Sequence, residues 1–362
     1  MGRHGILRAV GRHVAPATST ANTCTANTPL PTVAVIMGFG DGVRPPIMTD
    51  APGKQVADAY DPDICKLLGD DKVQLLNYDE AMSRPDGVDA ILTVSHPPVN
   101  GDLLDRLKPK TISNYGVGVN HIDLDAATAR GIPVGNTPGV LNEATADMAM
   151  ALMLACSRRL GECNHYAKSG QWVGYEHMVL LGQDVSNSTV GIIGMGRIGF
   201  EVARRAKLGF GCRILYHNRS RRPDCEEQLG AEYCANLHSL LEQSDTVILV
   251  TVMSPETANI IDATALHKMK RSASLVNVSR GGTVDTAALT TALRNGEIAA
   301  AGLDVTEPEP LPTDHELYSM PNVVFSPHRG SATVRTRRLM SELCVENLLM
   351  GLAGAELPAR CN

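Results

Sequence analysis

Along most of the chain, short apolar runs alternate with stretches in which apolar residues recur at helical spacing. The runs at 33–37, 73–76, 90–94 and 111–113 predict buried strands, with helical material between them and a short helix over 103–107. A second series keeps the same rhythm at 190–193, 213–216, 246–251, 274–278, 299–304 and 322–326. Helices at 200–206, 237–242, 263–270 and 286–294 are interleaved with it. Strands that are apolar without alternation are covered on both faces, and strands alternating with helices build parallel sheets. The fold class expected is therefore α/β, layered and parallel.

Three stretches stand apart from that rhythm. Residues 144–155 form a helix that is apolar on nearly every face, so it is buried all round or shared with a second subunit. Residues 169–187, which hold the single tryptophan, Trp172, read as an irregular excursion and a candidate arm at a dimer interface. A final helix over 333–351 carries Leu339, Met340, Leu343, Val345 and Leu348 and is expected to return to the first domain.

The centre of the chain is Val190-Gly191-Ile192-Ile193-Gly194-Met195-Gly196-Arg197-Ile198-Gly199. Here a strand pattern runs into G-x-G-x-x-G and then into helical spacing, the context in which that motif holds a dinucleotide. Gly194 permits the tight turn, Gly196 lets the backbone approach a pyrophosphate, and Gly199 lets the helix pack on the strand. The pyrophosphate would rest on N–H groups at the positive end of the helix dipole. The next strand leads into His217-Asn218-Arg219-Ser220-Arg221-Arg222, with no acid before Asp224. A carboxylate at that place binds a ribose 2′-hydroxyl and repels a 2′-phosphate, whereas guanidinium groups hold a phosphate with charge-assisted bonds. The stretch favours NADP(H) over NAD(H).

Composition narrows the picture further. A chain of 362 residues, 43% hydrophobic, can bury two ordinary cores. A net charge of −6 gives no support for binding nucleic acid or an anionic membrane. No apolar run is long enough to span a bilayer. Nine cysteines without a C-x-x-C pair argue for reduced thiols rather than a disulfide frame, and no metal site is expected. Residues 1–31 carry Arg3, Arg8, Arg12, His4 and His13 and no acid. They are expected to stay outside the fold, as a disordered extension, a mis-assigned start or an organellar targeting segment. The location expected is accordingly cytoplasmic or mitochondrial.

In an open parallel sheet, ligands bind outside the carboxyl ends of the strands. Three polar groups fall there: Arg280 after the run ending at Val278, Glu309 after the run ending at Asp304, and His328 after the run ending at Ser326. Such a set suits a 2-keto acid. Arg280 pairs with the carboxylate and polarises the keto oxygen, His328 delivers a proton, and Glu309 holds the imidazole and supports its charge. Ahead of them, glycines bracket Val117 in Asn114-Tyr115-Gly116-Val117-Gly118, where backbone N–H groups can grip a small anion.

Together, G-x-G-x-x-G, Ser279-Arg280-Gly281, Asp304-Val305 leading to Glu309-Pro310, and Pro327-His328 resemble the D-isomer-specific 2-hydroxyacid dehydrogenases. The stretch 300–312 and Gly330-Ser331-Ala332-Thr333 resemble the glyoxylate reductase/hydroxypyruvate reductase branch. The resemblance spans roughly 33–358. It implies two Rossmann-like or flavodoxin-like domains, with the cofactor domain (141–330) inserted into a substrate domain made of 32–140 and 331–362. It implies a catalytic set of Arg280, Glu309 and His328. Substrate binding would fall to Val117, Gly118, Arg280, His328, Gly330 and Ser331. Cofactor binding would fall to Gly194, Gly196, Arg197, Ile198, Gly199, Arg219, Ser220, Arg221, Arg222, Val252, Val278 and Asp304. It implies homodimers and NADPH-linked reduction of glyoxylate and hydroxypyruvate to glycolate and D-glycerate. Two alternatives stay open: a dehydrogenase of another 2-hydroxy acid, such as phosphoglycerate or lactate, and a non-catalytic dinucleotide sensor like the corepressors of the superfamily. One departure from the pattern is Arg329, where an aliphatic residue is usual after the histidine. Alternation in an extended chain would turn it away from the imidazole.

Overall fold

The computed structural model describes residues 30–37, 62–69 and 72–362. The expectations for residues 1–31 fall almost wholly outside them. Two parallel sheets organise the described residues. The first comprises β1 (Thr32–Met37), β2 (Gln74–Leu76), β3 (Ala90–Val94), β4 (Thr111–Asn114) and β5 (Val134–Gly135), in the order β2-β1-β3-β4-β5. The second comprises β6 (Thr189–Ile193), β7 (Arg213–His217), β8 (Glu232–Tyr233), β9 (Thr246–Leu249), β10 (Ser274–Asn277), β11 (Ala300–Leu303) and β12 (Val323–Phe325). Its order is β12-β11-β10-β9-β6-β7-β8. Strands β3, β4, β9, β10 and β11 are buried at every residue, which is why β3, β9 and β11 run largely apolar without alternation and why the polar side chains of β4 and β10 are buried too.

Strand order reverses between β1 and β3 in the first sheet and between β6 and β9 in the second. Crevices open beyond the carboxyl ends at such reversals, and both sheets present theirs to one cleft. Four short helices follow the first sheet's strands: α1 (Pro62–Leu68), α2 (Tyr78–Ser83), α3 (Gly101–Leu107) and α4 (Leu124–Ala129). Then come α5 (Asn142–Ser157), α6 (Leu160–Lys168), α7 (Arg197–Phe210), α8 (Pro223–Leu229), α9 (Leu237–Gln243), α10 (Ala263–Lys268), α11 (Thr286–Arg294) and α12 (Val334–Leu352). Helices α4, α6 and α8 and the two-residue strands β5 and β8 carry no pattern that predicts them. α6 buries no residue, and the others are too short for a period to show.

α5 lies against α7 and strands β10, β11 and β12. Ala144, Ala146, Ala149, Leu152, Met153 and Ala155 are all buried, so most of its apolar circumference is covered within one chain. α12 returns to the first sheet, packing on α1 and β4 with Met340, Cys344, Val345 and Leu348 in that sheet's core. The chain therefore leaves the first sheet between β5 and α5 and comes back between β12 and α12. Among the described residues no helix is long and apolar enough to cross a membrane.

Candidate active site

The glycine loop between β6 and α7 has the shape that a dinucleotide needs. Gly194 has φ +104, and a Cβ there would lie 2.7 Å from the Thr251 nitrogen. A Cβ on Gly199 would lie 2.2 Å from the Gly194 oxygen, whereas one on Gly196 would meet only open space. Two of the long helices start under a side-chain cap, Asp285 on α11 through the Ala288 N–H and Thr333 on α12 through that of Thr336, while α5 and α6 start without one. α7 begins at Gly196 with no side-chain cap. Its first N–H groups, those of Arg197, Ile198 and Gly199, thus sit at the positive end of the helix beside open space, and a pyrophosphate fits them.

The loop after β7 is tied to this turn. Asn218 Oδ1 accepts from the Met195 N–H at 2.6 Å, and Arg222 Nη1 donates to the Met195 oxygen at 2.8 Å. The three arginines expected to share a 2′-phosphate differ in their commitments. Arg221 is paired through two nitrogens with Glu226, and Arg222 likewise with Asp224. Arg219 and its neighbour Ser220 are exposed and make no hydrogen bond or ion pair among the described residues. The acids of α8, two and five residues on, take up the other two guanidinium groups.

A cavity of about 1120 Å³ lies at the carboxyl ends of both sheets. Arg280, Glu309, His328, Val117, Gly118, Gly330, Ser331, Ile198, Val252, Val278 and Asp304 all line it. Arg197 and Arg222 line a smaller groove beside it, with Arg335. His328 follows β12 in the left-handed region, φ 54, with its N–H bonded to the carbonyls of Asp304 and Ser326. Its Nδ1 lies 2.5 Å from Glu309 Oε1. A carboxylate only accepts, so Nδ1 carries the hydrogen and Nε2 is left for a ligand. Asp304 is buried, and its carboxylate accepts from the N–H groups of Arg329 and Gly330 at 2.7 and 2.9 Å. Those bonds brace the histidine's loop and take up both carboxylate oxygens. Arg329 is exposed. The chain at His328 is left-handed rather than extended, so simple alternation does not set where Arg329 goes.

Arg280 follows β10 and reaches across to the first sheet. Nη1 donates to the Ser279 oxygen at 2.8 Å, Nε to Asn120 Oδ1 at 3.3 Å, and Nη2 lies 3.0 Å from His96 Nε2. Burial pulls its pKa below the usual arginine value, and Glu309 opposes that shift. The guanidinium passes over Gly118, where a Cβ would lie 1.9 Å from Nη2, so any larger residue there would displace the guanidinium. Beside it, Asn114 Nδ2 donates to the carbonyls of Gly116 and Gly118, and Asn136 Nδ2 to that of Val117. With the carbonyls so held, the N–H groups of Val117 and Gly118 have no partner among the described residues.

Two histidines that the sequence reading did not single out belong to this cluster. His96 follows β3 at φ 60. Its ring stacks on that of His328 at 5.4 Å and meets that of His121 edge-on at 5.1 Å. Burial pushes the His96 pKa down to about 2, with Arg280, His328 and His121 adding to the effect. Burial and Arg280 take His121 down to about 4. Both ring nitrogens of His121 are buried, with no partner among the described residues. The signal for His96 was present, since it stands just past a strand end, as Arg280 and His328 do.

A family model for the NAD-binding domain of D-isomer specific 2-hydroxyacid dehydrogenases matches residues 150–330. The chain is 48% identical over 272 residues to a glyoxylate reductase of Korarchaeum cryptofilum, covering 75% of this chain and 81% of that one. It is 46% identical over 280 residues to the glyoxylate reductase of Thermococcus kodakarensis, covering 76% and 83%. Among solved structures, a Sinorhizobium meliloti NADPH-dependent glyoxylate/hydroxypyruvate reductase in complex with NADP and malonate superposes with a TM-score of 0.77. It is 33% identical, with 91% of this chain and 96% of that one covered. A Thermus thermophilus protein of 40% identity gives 0.76, over 91% of this chain and 100% of that one. An uncapped helix behind a glycine turn, facing an arginine and a histidine–carboxylate pair, is thus accompanied by extensive sequence kinship, and the chain belongs to the D-isomer specific 2-hydroxyacid dehydrogenases, enzymes that work with a nicotinamide dinucleotide.

Proposed function

We propose that this protein reduces glyoxylate, and hydroxypyruvate beside it, to glycolate and D-glycerate, with NADPH preferred over NADH. The observation that carries this reading is the His328–Glu309 pair standing in one cleft with Arg280 and the Val117–Gly118 backbone. A nicotinamide dinucleotide, when bound, would supply the hydride for C2 of the keto acid. Arg280 and the N–H groups of Val117 and Gly118 hold the substrate carboxylate, and the guanidinium polarises the keto oxygen. His328 donates its Nε2 proton to that oxygen as charge develops on it, while Glu309 at Nδ1 fixes the ring and balances the imidazolium. Gly194, Gly196 and Gly199 shape the turn for the pyrophosphate, with Arg197 and Ile198 at the start of the helix. Asp304 acts through the loop it braces, and Val252 and Val278 wall the nicotinamide end.

The NADPH preference rests on the missing acid after β7 and on Arg219 and Ser220, which stand uncommitted at the place of a 2′-phosphate. The domain division follows the sheets: 32–140 with 331–362 around the first, and 141–330 around the second. A homodimer fits the exposed apolar residues that follow α6: Trp172, Val173, Tyr175 and Met178 are 64%, 86%, 85% and 78% exposed. A run of that kind on a single chain marks a contact surface. Initial rates with NADPH and NADH against glyoxylate, hydroxypyruvate, pyruvate and 3-phosphohydroxypyruvate test the assignment. The expected result is fastest turnover of the first two with NADPH. No turnover, a preference for phosphohydroxypyruvate or pyruvate, or equal use of NADH would overturn it. A monomer in sedimentation at micromolar concentration would remove the dimer.

A further inference from the structure

We propose that His96 is a positioning residue of the reaction, holding the guanidinium of Arg280 in place as a hydrogen-bond acceptor. The inference rests on the reading above, in which Arg280 binds a 2-oxo acid. Arginine has five N–H donors and no acceptor, so at 3.0 Å from Arg280 Nη2 the His96 Nε2 accepts. The hydrogen of the neutral ring is then on Nδ1. Nε of Arg280 is used on Asn120, one hydrogen of Nη1 on Ser279, and one hydrogen of Nη2 on His96. One N–H remains on each terminal nitrogen for the substrate. Of these three anchors, only His96 holds Nη2, the nitrogen that lies over Gly118. Take it away and Nη2 loses its anchor, leaving the planar head held by Ser279 and Asn120 alone.

The same ring must stay uncharged to do this. Arg280 on the loop after β10, His328 on the loop after β12 and His121 on the loop after β4 all face it, and each opposes a charge there. Glu309, the acid of the cluster, is engaged by His328. With a pKa near 2, His96 remains an acceptor throughout the working pH range of an enzyme.

His96→Phe keeps a ring against His328 and removes the acceptor, while His96→Gln offers an amide oxygen where Nε2 was. The readouts are kcat and KM for glyoxylate, KM for the dinucleotide, and calorimetric binding of oxalate, an unreactive dicarboxylate. In the Phe variant the glyoxylate KM should rise and oxalate binding weaken by about tenfold to a hundredfold, the effect of one lost charge-assisted bond. Its dinucleotide KM should hold, and the Gln variant should stay within about threefold of wild type. Wild-type oxalate affinity in the Phe variant, or a Gln variant as impaired as Phe, overturns the proposal. Should the Phe variant fail to fold, ¹⁵N spectra of the wild-type protein decide: a bare Nε2 and a protonated Nδ1 on His96 support it, and a protonated Nε2 overturns it. A wild-type protein that neither reduces glyoxylate nor binds oxalate refutes the substrate reading instead, and the tautomer still reports whether His96 accepts from Arg280.

Discussion

Gly118→Ala separates what holds the fold from what holds the substrate. The added methyl would lie 1.9 Å from Arg280 Nη2 and 2.8 Å from Cζ. Carbon needs roughly 3.5 Å from a neighbouring atom, so the guanidinium must withdraw by about 1.5 Å. A shift of that size displaces Nη2 from the position in which it now meets His96 at 3.0 Å. The atoms that clash are the far end of a flexible side chain, so the backbone need not move. Stability should change by about 1 kcal/mol, or roughly 4 °C in Tm at most. The catalytic penalty is larger. One charge-assisted contact contributes about 1.5–3 kcal/mol, and a misplacement near 1 Å in a catalytic group lowers rate about a hundredfold. Steady-state kinetics with glyoxylate at saturating NADPH, beside a thermal melt and a dinucleotide titration, reads all three quantities. The expected pattern is kcat/KM down by about 10²-fold with a near wild-type melt and unchanged dinucleotide affinity. A kcat/KM within about threefold of wild type would falsify the placement of Arg280 over Gly118, and a collapsed melt would mean the backbone yields instead of the side chain.

Replacing the proton donor and its partner should differ in kind. His328→Ala should abolish reduction at every pH, whereas Glu309→Gln keeps a hydrogen bond to Nδ1 and removes only the charge. Glu309→Gln should therefore lower kcat while keeping measurable turnover, and a variant with wild-type kcat would break the assigned pair. Arg219→Ala should lower kcat/KM with NADPH by about tenfold to a hundredfold and leave NADH nearly unchanged, and equal losses with both coenzymes would remove Arg219 from the phosphate site. Folded-state pKa values of about 2 for His96 and about 4 for His121 lie below the ordinary 6.5, so the unfolded chain takes up the extra protons. Their stabilising effect is full above pH 6.5 and is lost as pH falls, over the range down to about 4 for His121 and on toward 2 for His96. The loss is at most about 1.4 kcal/mol per pH unit for each ring. His121→Asn should flatten the dependence of the urea midpoint on pH between 6.5 and 4, and parallel curves for variant and wild type would show that His121 is not buried neutral.

The parts of the site that are legible from sequence are those that a strand end or a glycine turn announces. β6, the turn at Gly194 and the start of α7 follow from an apolar run, three glycines and helical spacing. Arg280 and His328 follow from standing just past β10 and β12. What is not legible depends on contacts far apart in the chain. His96 meets Arg280 across 184 positions, and neither residue's neighbours signal the pairing. Gly118 is readable as a glycine beside an anion-gripping backbone, but its place beneath the Arg280 guanidinium is not. Asp304 is readable as a polar strand end, yet its hydrogen bonds to Arg329 and Gly330 depend on the turn that His328 makes. The pairing of Arg221 and Arg222 with Glu226 and Asp224 was within reach of a local reading, since the acids lie in the first turn of α8. A basic cluster beside a helix start with acids of its own is partly neutralised before any ligand arrives.

Arg280 belongs to the second sheet, yet two of its three anchors, Asn120 and His96, belong to loops of the first. The chain passes between the sheets at only two places, ahead of α5 and ahead of α12, and Leu141, Gly330 and Ser331 at those passages line the same cleft. A rotation about the two passages that widened the mouth would pull the guanidinium off both anchors at once. In that posture the residual donors of Arg280 lose their shared orientation, and the imidazole of His328 parts from the ring stacked on it. A substrate carboxylate that bridged Arg280 to the Val117–Gly118 loop would tie the two sheets together once more, at the place where His96 and Asn120 already do so.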